Sequence, residues 1–211
     1  MFVCHTGRMI SQNNPRQARG FLRGVLCSFA LALVAGTIWW SSFKTYHLAK
    51  VDQGILYRSG LRTMHEFKAG VRQVHAHTIV RLVDEKEQAK APFAAEAAWC
   101  KARGLEVIDI PISLGGQPEV AQIRQFIAVT RDRTKEPVLV HCAQGVRRTG
   151  MMVAAYQRAV LGWNSAQTKA AILPFGHTHM EDIQDFIDRY EPTNGTIAAR
   201  SPEARNAVAQ E

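Results

Sequence analysis

The residues best suited to chemistry sit together at 141–150, in the run HCAQGVRRTG. Cys142 follows the apolar stretch Val138–His141 directly, so a strand there delivers its sulfur to the carboxyl edge of a sheet, where open α/β folds bind ligands. Gly145 can take a positive φ and lets a tight loop close. Arg148, Thr149 and Gly150 then open a helix, whose first N–H groups turn inward as an anion site. Those dipoles, with Arg148, are expected to favour the Cys142 thiolate. A guanidinium grips two phosphoryl oxygens in its planar fork, which an ammonium cannot do. A Thr149 hydroxyl bonded to the sulfur would ease its departure in a second step. The backbone of Ala143, Gln144, Gly145, Val146 and Arg147, with the side chains of Arg148 and Thr149, forms the expected phosphate cradle. The chemistry implied is covalent phosphoryl transfer on cysteine, with no metal or cofactor.

Such a loop needs a rigid frame, and the surrounding pattern supplies one. Strand-like stretches at Ile55–Tyr57, His77–Val83, Leu105–Ile110 and Val138–His141 alternate with helical ones. The helical stretches are Thr63–Val74, Ala91–Arg103, Ala121–Arg131, Met151–Leu161, Ser165–Leu173 and Met180–Tyr190. Gly104 and Pro111 punctuate the series as helix and strand stops. Val138–His141 is apolar throughout, as in strands buried on both faces of a parallel sheet. The expected fold is α/β, with a central, mostly parallel sheet flanked by helices.

HCAQGVRRTG fits H-C-x-x-G-x-x-R-[ST]-G and resembles the signature loop of the protein tyrosine phosphatase superfamily, in its compact dual-specificity-type bacterial branch. VDQGILYRSG (51–60), RLVDE (81–85), VIDIPIS (107–113) and GWNSAQTKAAI (162–172) extend the resemblance over about residues 50–190. It implies phosphomonoester hydrolysis through a phosphocysteine, with Cys142 as nucleophile, Arg148 as phosphate ligand and Thr149 supporting the thiolate. Phosphorylated proteins or other phosphomonoesters are the implied substrates. A rhodanese-type sulfurtransferase also places a cysteine loop after a strand, but the Arg-Thr-Gly ending favours the phosphatase.

One part of the pattern is missing. The family supplies a general acid from the loop after the preceding strand, yet Pro111–Pro118 (PISLGGQP) holds no carboxylate. Asp109, 33 positions before Cys142, is the first candidate, Glu119 the second, and no dedicated acid the third. The gap sustains an alternative: a catalytically weak, phosphate-binding module that recognises phosphorylated partners. Relatives also read Asn-Leu-Arg where this chain has Arg81-Leu82-Val83. Tyr57, Arg58 and Ser59 are placed near the site by the resemblance, and Arg147 would add positive potential for a highly anionic substrate. His141 reads as buried framework, and Cys100 as a core thiol. His75, His77, His177 and His179 lack partners at ligand spacing, so no metal site is expected.

The composition, with 46% apolar and 21% charged residues, is that of a globular chain, and the four cysteines form neither a CxxC nor a regular framework. The net charge of +8 is concentrated at one end. Residues 1–50 carry six basic side chains and no acid, whereas the remainder has twenty basic against eighteen acidic. A nucleic-acid surface spreads its basic residues over the folded face, so none is expected here. Residues 24–43 are uncharged and, as a helix, would span about 30 Å, the thickness of a bilayer core. Trp39 and Trp40 mark its interfacial end. The expected organisation is a basic segment (1–23), a single membrane anchor (24–43), a catalytic domain (50–190) and a disordered tail (191–211). Arg8, Arg16, Arg19 and Arg23 face Lys44 and Lys50 across the span, an asymmetry that predicts the domain outside the cytoplasm, which is the periplasm if the source is a Gram-negative bacterium. A thiolate nucleophile is better suited to a reducing compartment, so the two expectations pull apart.

Overall fold

A computed structural model describes residues 45–173, 175, 180–192 and 196–197. The anchor expected at 24–43 lies outside these residues, as do Cys4, Cys27, His177, His179 and most of the tail. Among the described residues no helix is long and apolar enough to cross a membrane.

Five strands form the sheet: β1 (Ala49–Asp52), β2 (Leu56–Gly60), β3 (Thr78–Arg81), β4 (Glu106–Asp109) and β5 (Val138–Cys142). Their order is β1-β2-β5-β3-β4. β2, β5, β3 and β4 run parallel, and β1 pairs antiparallel with β2 at one edge, so the sheet is mixed. Every residue of β3 and of β5 is buried, as their apolar runs require for strands covered on both faces. With the central strand β5 flanked on both sides, Cys142 emerges in register with Gly60 of β2.

The helices are α1 (Met64–Val74), α2 (Glu85–Gln88), α3 (Phe93–Ala102), α4 (Val120–Arg131), α5 (Arg147–Ala159), α6 (Ser165–Ala170) and α7 (Met180–Arg189). Helix α1 starts at Thr63, whose hydroxyl accepts the Glu66 N–H, and buries Phe67, Gly70, Val71 and Val74 as one stripe. It stops at His75, whose left-handed φ of 52° returns its N–H to the last carbonyls of the helix. A capping box sets α2: the Asp84 carboxylate accepts the Glu87 N–H and the Glu87 carboxylate accepts that of Asp84. Helix α5 runs under the sheet with every residue from Arg148 to Gln157 buried, and Gly150 lets Ile183 of α7 approach its backbone.

Several boundaries differ from the sequence reading. Helix α5 begins at Arg147, four residues before Met151, because its first amides belong to the phosphate loop. Strand β1 (AKVD) and the four-residue α2 carry no apolar period and have no counterpart in the sequence reading. Tyr190–Glu191 pairs with Thr196–Ile197, so regular structure runs past residue 190.

Candidate active site

The loop from Cys142 to Val146 is fixed by its carbonyls. Leu61 N–H donates to those of Cys142 (3.2 Å) and Ala143 (2.9 Å). His47 Nδ1 reaches that of Gln144 at 2.6 Å. Arg58 Nη2 donates to Gly145 O (2.6 Å) and Val146 O (3.4 Å), and Gly150 N–H also donates to Val146 O (2.6 Å). In a planar trans peptide the N–H points opposite the carbonyl. Five carbonyls drawn outward therefore turn the amides of residues 143–147 toward the loop's centre, as an anion nest requires. Gly145 N–H shows the result, reaching Cys142 Sγ at 3.2 Å. Gly145 has φ 71°, and a Cβ there would collide with Ser59 carbonyl oxygen, so no other residue fits. Gly60 meets the loop from the other side, where a Cβ would stand 2.5 Å from Gln144 O.

Cys142 is 3% exposed and Arg148 5%. Arg148 is held by Glu87, to which Nη1 and Nη2 both donate, the second at 2.8 Å, and by Ile112 O at 3.1 Å from Nη1. These contacts use both protons of Nη1 and one of Nη2. The Nε–H and the second Nη2–H remain as a side-on fork. Burial works to lower the Arg148 pKa, but the hydrogen bond to Glu87 and the Cys142 sulfur outweigh it, and the net direction is upward. Glu87 is pulled below the usual carboxylate range, first by its bond to Arg148, against an opposing effect of burial. Beneath the loop, burial lowers Arg58 to about 10, and Cys142 acts in the opposite direction.

Other expected residues lie elsewhere or act differently. Asp109 is clamped by Arg81, whose Nε and Nη2 donate to its two oxygens at 2.7 and 2.8 Å. It lines a cleft of about 430 Å³ with Arg81, Ala97 and Lys101 that contains neither Cys142 nor Arg148. Its register partner Arg81 pairs in turn with His141, which puts Asp109 two strands from the nucleophile strand, ~10 Å at ordinary strand spacing. In this structure both oxygens of the Asp109 carboxylate are engaged in an ion pair with Arg81. Glu119 starts α4 in a capping box with Gln122. The Arg147 guanidinium donates to Gly116 O and Asp182, latching the 111–118 loop and α7 together, so of Arg147 only the backbone N–H faces the nest. Thr149 Oγ1 is buried and without a hydrogen-bond partner, so the expected bond to the sulfur is not formed in this state.

His141 is fully buried, with Nε2 2.7 Å from Oε1 of equally buried Glu96, a framework role. Cys100 is also buried; desolvation, reinforced by Glu96, pushes its thiol up to about 12. His75 caps α1 and His77 reaches Thr134 O, and no cluster among the described residues could hold a metal. Glu87 and His47 are absent from the sequence reading. The Asp84-x-x-Glu87 capping-box spacing was the available signal for the first. Beside Glu87 opens a cleft of about 640 Å³ lined by Asp84, Glu85, Lys86, Lys90, Pro111, Ser113 and Leu114, with neither Cys142 nor Arg148 in its wall. Leu114 is 76% exposed at the tip of the acid-free loop.

The sheet thus carries a cysteine loop at the carboxyl end of its central strand and an arginine-led helix after it, the layout of the dual-specificity-type phosphatase fold. The family described as "DSP-PTPase phosphatase fused to NAD+ Kinase" matches residues 44–187, and the chain belongs to it. Over 107 residues it is 30% identical to probable NAD kinase 2, chloroplastic, of Oryza sativa subsp. japonica, covering 51% of this chain and 11% of that protein. It is 26% identical to the dual specificity protein phosphatase TpbA of Pseudomonas aeruginosa over 136 residues, 63% of this chain and 55% of that one. The chain thus spans about half the length of TpbA and a ninth of the kinase. Among solved structures, the crystal structure of P. aeruginosa TpbA aligns with a TM-score of 0.56 at 20% identity, over 70% of this chain and 87% of that chain. The core catalytic domain of the PP-IP phosphatase SIW14 from S. cerevisiae aligns at 0.58 and 17%, over 77% and 91%. At these identities the structural likeness concerns the fold.

Proposed function

We propose that the chain hydrolyses phosphomonoesters without a metal, through a phosphocysteine on Cys142. The carrying observation is the Gly145 N–H on Cys142 Sγ, within a loop whose carbonyls are all tied outward, beside the fork of Arg148. In the first step the sulfur attacks phosphorus along the loop axis and the ester oxygen departs. The inward amides and the Arg148 fork take the three equatorial oxygens, whose charge rises in the transition state. Water then attacks the phosphocysteine, the S–P bond breaks, and inorganic phosphate leaves with the thiolate restored.

No carboxylate is presented from residues 111–118, and Asp109 is committed to Arg81. We therefore assign no dedicated acid: the departing oxygen takes its proton from solvent, and leaving groups of low pKa are favoured. A cleft of mixed charge beside Glu87, lined by Asp84, Glu85, Lys86, Lys90 and Leu114, adjoins the partner of Arg148 and supports a substrate extending beyond the phosphoryl group. A TpbA structure holds phosphotyrosine, and a phosphotyrosine protein is the substrate we infer here. The uncharged run 24–43 behind a basic leader supports membrane anchoring, with the domain on the non-cytoplasmic side. The test is turnover of p-nitrophenyl phosphate in excess EDTA. Cys142→Ser should abolish it while still binding vanadate, and undiminished turnover in that variant would sink the mechanism. The acid-free loop also favours a second reading, a phosphate-binding module with little turnover. An active wild type that loses activity with Cys142→Ser excludes it.

A further inference from the structure

Thr45–Leu48, just ahead of β1, packs against the phosphate loop. Gly60 N–H donates to Tyr46 O at 2.9 Å, and a Cβ on Gly60 would touch both the Tyr46 ring and Gln144 O. His47 follows with φ 55°, and its ring stacks on Tyr46 (centroids 3.9 Å apart) and on Phe175 (4.3 Å). Phe175 itself has φ 48°. Left-handed backbone is uncommon for histidine and an outlier for phenylalanine, and such conformations gather where function over-determines the chain. Held in this stack, His47 Nδ1 lies 2.6 Å from Gln144 O. A carbonyl only accepts, so Nδ1 carries the proton, as it does both in that neutral tautomer and in the imidazolium.

The Gln144 carbonyl and the Gly145 N–H belong to one peptide plane and point in opposite directions. The N–H of that plane donates to Cys142 Sγ, with nitrogen and sulfur 3.2 Å apart. A glycine on the far side makes the plane easy to turn over, because φ of Gly145 is permissive. Turned over, it would aim an oxygen at the sulfur. We propose that His47 is a positioning residue that locks the Gln144–Gly145 peptide with its N–H toward the nucleophile. The proposal rests on Cys142 being that nucleophile. Arg58, bonded to the loop carbonyls from beneath, and Arg148 both interact electrostatically with the sulfur. Arg58 and Arg62 lie over the Phe175 and Tyr46 rings of the stack. Glu87 acts only through Arg148, and His141 and Glu96 pair with each other in the core.

The test uses the whole chain and two readouts: kcat/KM for p-nitrophenyl phosphate, and the pH at which iodoacetamide alkylation of Cys142 reaches half its limiting rate. Cys100, pushed up to about 12, stays silent in the working range. Loss of one hydrogen bond to a charged sulfur should raise the alkylation midpoint by about one unit in His47→Ala and lower kcat/KM about tenfold. His47→Asn, whose amide N–H stands where Nδ1–H did, should restore both. His47→Gln, whose amide stands where Nε2 did, should behave as the alanine variant and replaces it if alanine does not fold. An unchanged midpoint in folded His47→Ala or His47→Gln, or an asparagine variant as impaired as the others, overturns the positioning role. A wild type with neither turnover nor alkylation at Cys142 fails at the nucleophile instead, which is a separate result.

Discussion

Arg148 is useful only because other groups hold it in one pose. Glu87 and Ile112 O take three of its five protons and leave a fork of fixed direction. Arg148→Lys should lose most activity, since an ammonium supplies neither the fork nor the pair of bonds to Glu87. Glu87→Gln keeps the shape but removes a charged partner, worth about 1.5–3 kcal/mol, so kcat/KM should fall roughly 10–100-fold in a steady-state assay. The same carboxylate sets a pH dependence. Its folded pKa lies below the unfolded value, so its stabilisation is complete above the ordinary carboxylate range and disappears as pH falls through the folded value. Thermal melts from pH 6 to pH 3 should show wild-type stability falling more steeply than that of Glu87→Gln. Asp109 gives the converse case. If it serves only Arg81, Asp109→Asn depresses nitrophenyl and alkyl phosphates alike, whereas an acid's loss would fall on the alkyl ester alone.

At the scale of elements, the sequence was most legible where one physical demand controls every position. The apolar runs of β3 and β5 can only be buried strands, and Gly145 can only mark a left-handed turn. Gly145→Ala should therefore destroy phosphate binding, because its Cβ has no space against Ser59, and titration with vanadate would register the loss. Legibility failed where the deciding partner is remote. Strand β1 has no alternation because it is a half-buried edge, and α2 is too short for a period. The separation of 33 residues between Asp109 and Cys142 said nothing of the carboxylate's direction, which Arg81 on the neighbouring strand decides. His47 meets Gln144 across 97 residues, and no local pattern announces such a contact. His141 was legible as framework, although its buried partner Glu96 was not. Truncating His141 leaves the buried Glu96 carboxyl without that partner, an unsatisfied polar group that costs about 1–3 kcal/mol or more, so His141→Ala should unfold at lower denaturant concentration than wild type.

At the scale of the molecule, the described fold from Thr45 onward encloses its own core around α5 and the sheet, and the matched family region begins at residue 44. If residues 24–43 anchor the chain, removing 1–43 should move it from the membrane fraction to the soluble fraction with activity kept, whereas removal through Leu48 should cost activity by deleting His47. A truncated protein still in the membrane fraction would end the anchor reading. The covalent intermediate is the centre of the account. Its most direct measurement is rapid quenching of the enzyme during turnover of a ³²P-labelled aryl phosphate in EDTA, followed by peptide mapping. The account predicts label on the peptide containing Cys142, formed before the steady state, and none in Cys142→Ser. Turnover with no labelled protein, or label retained in Cys142→Ser, would contradict it.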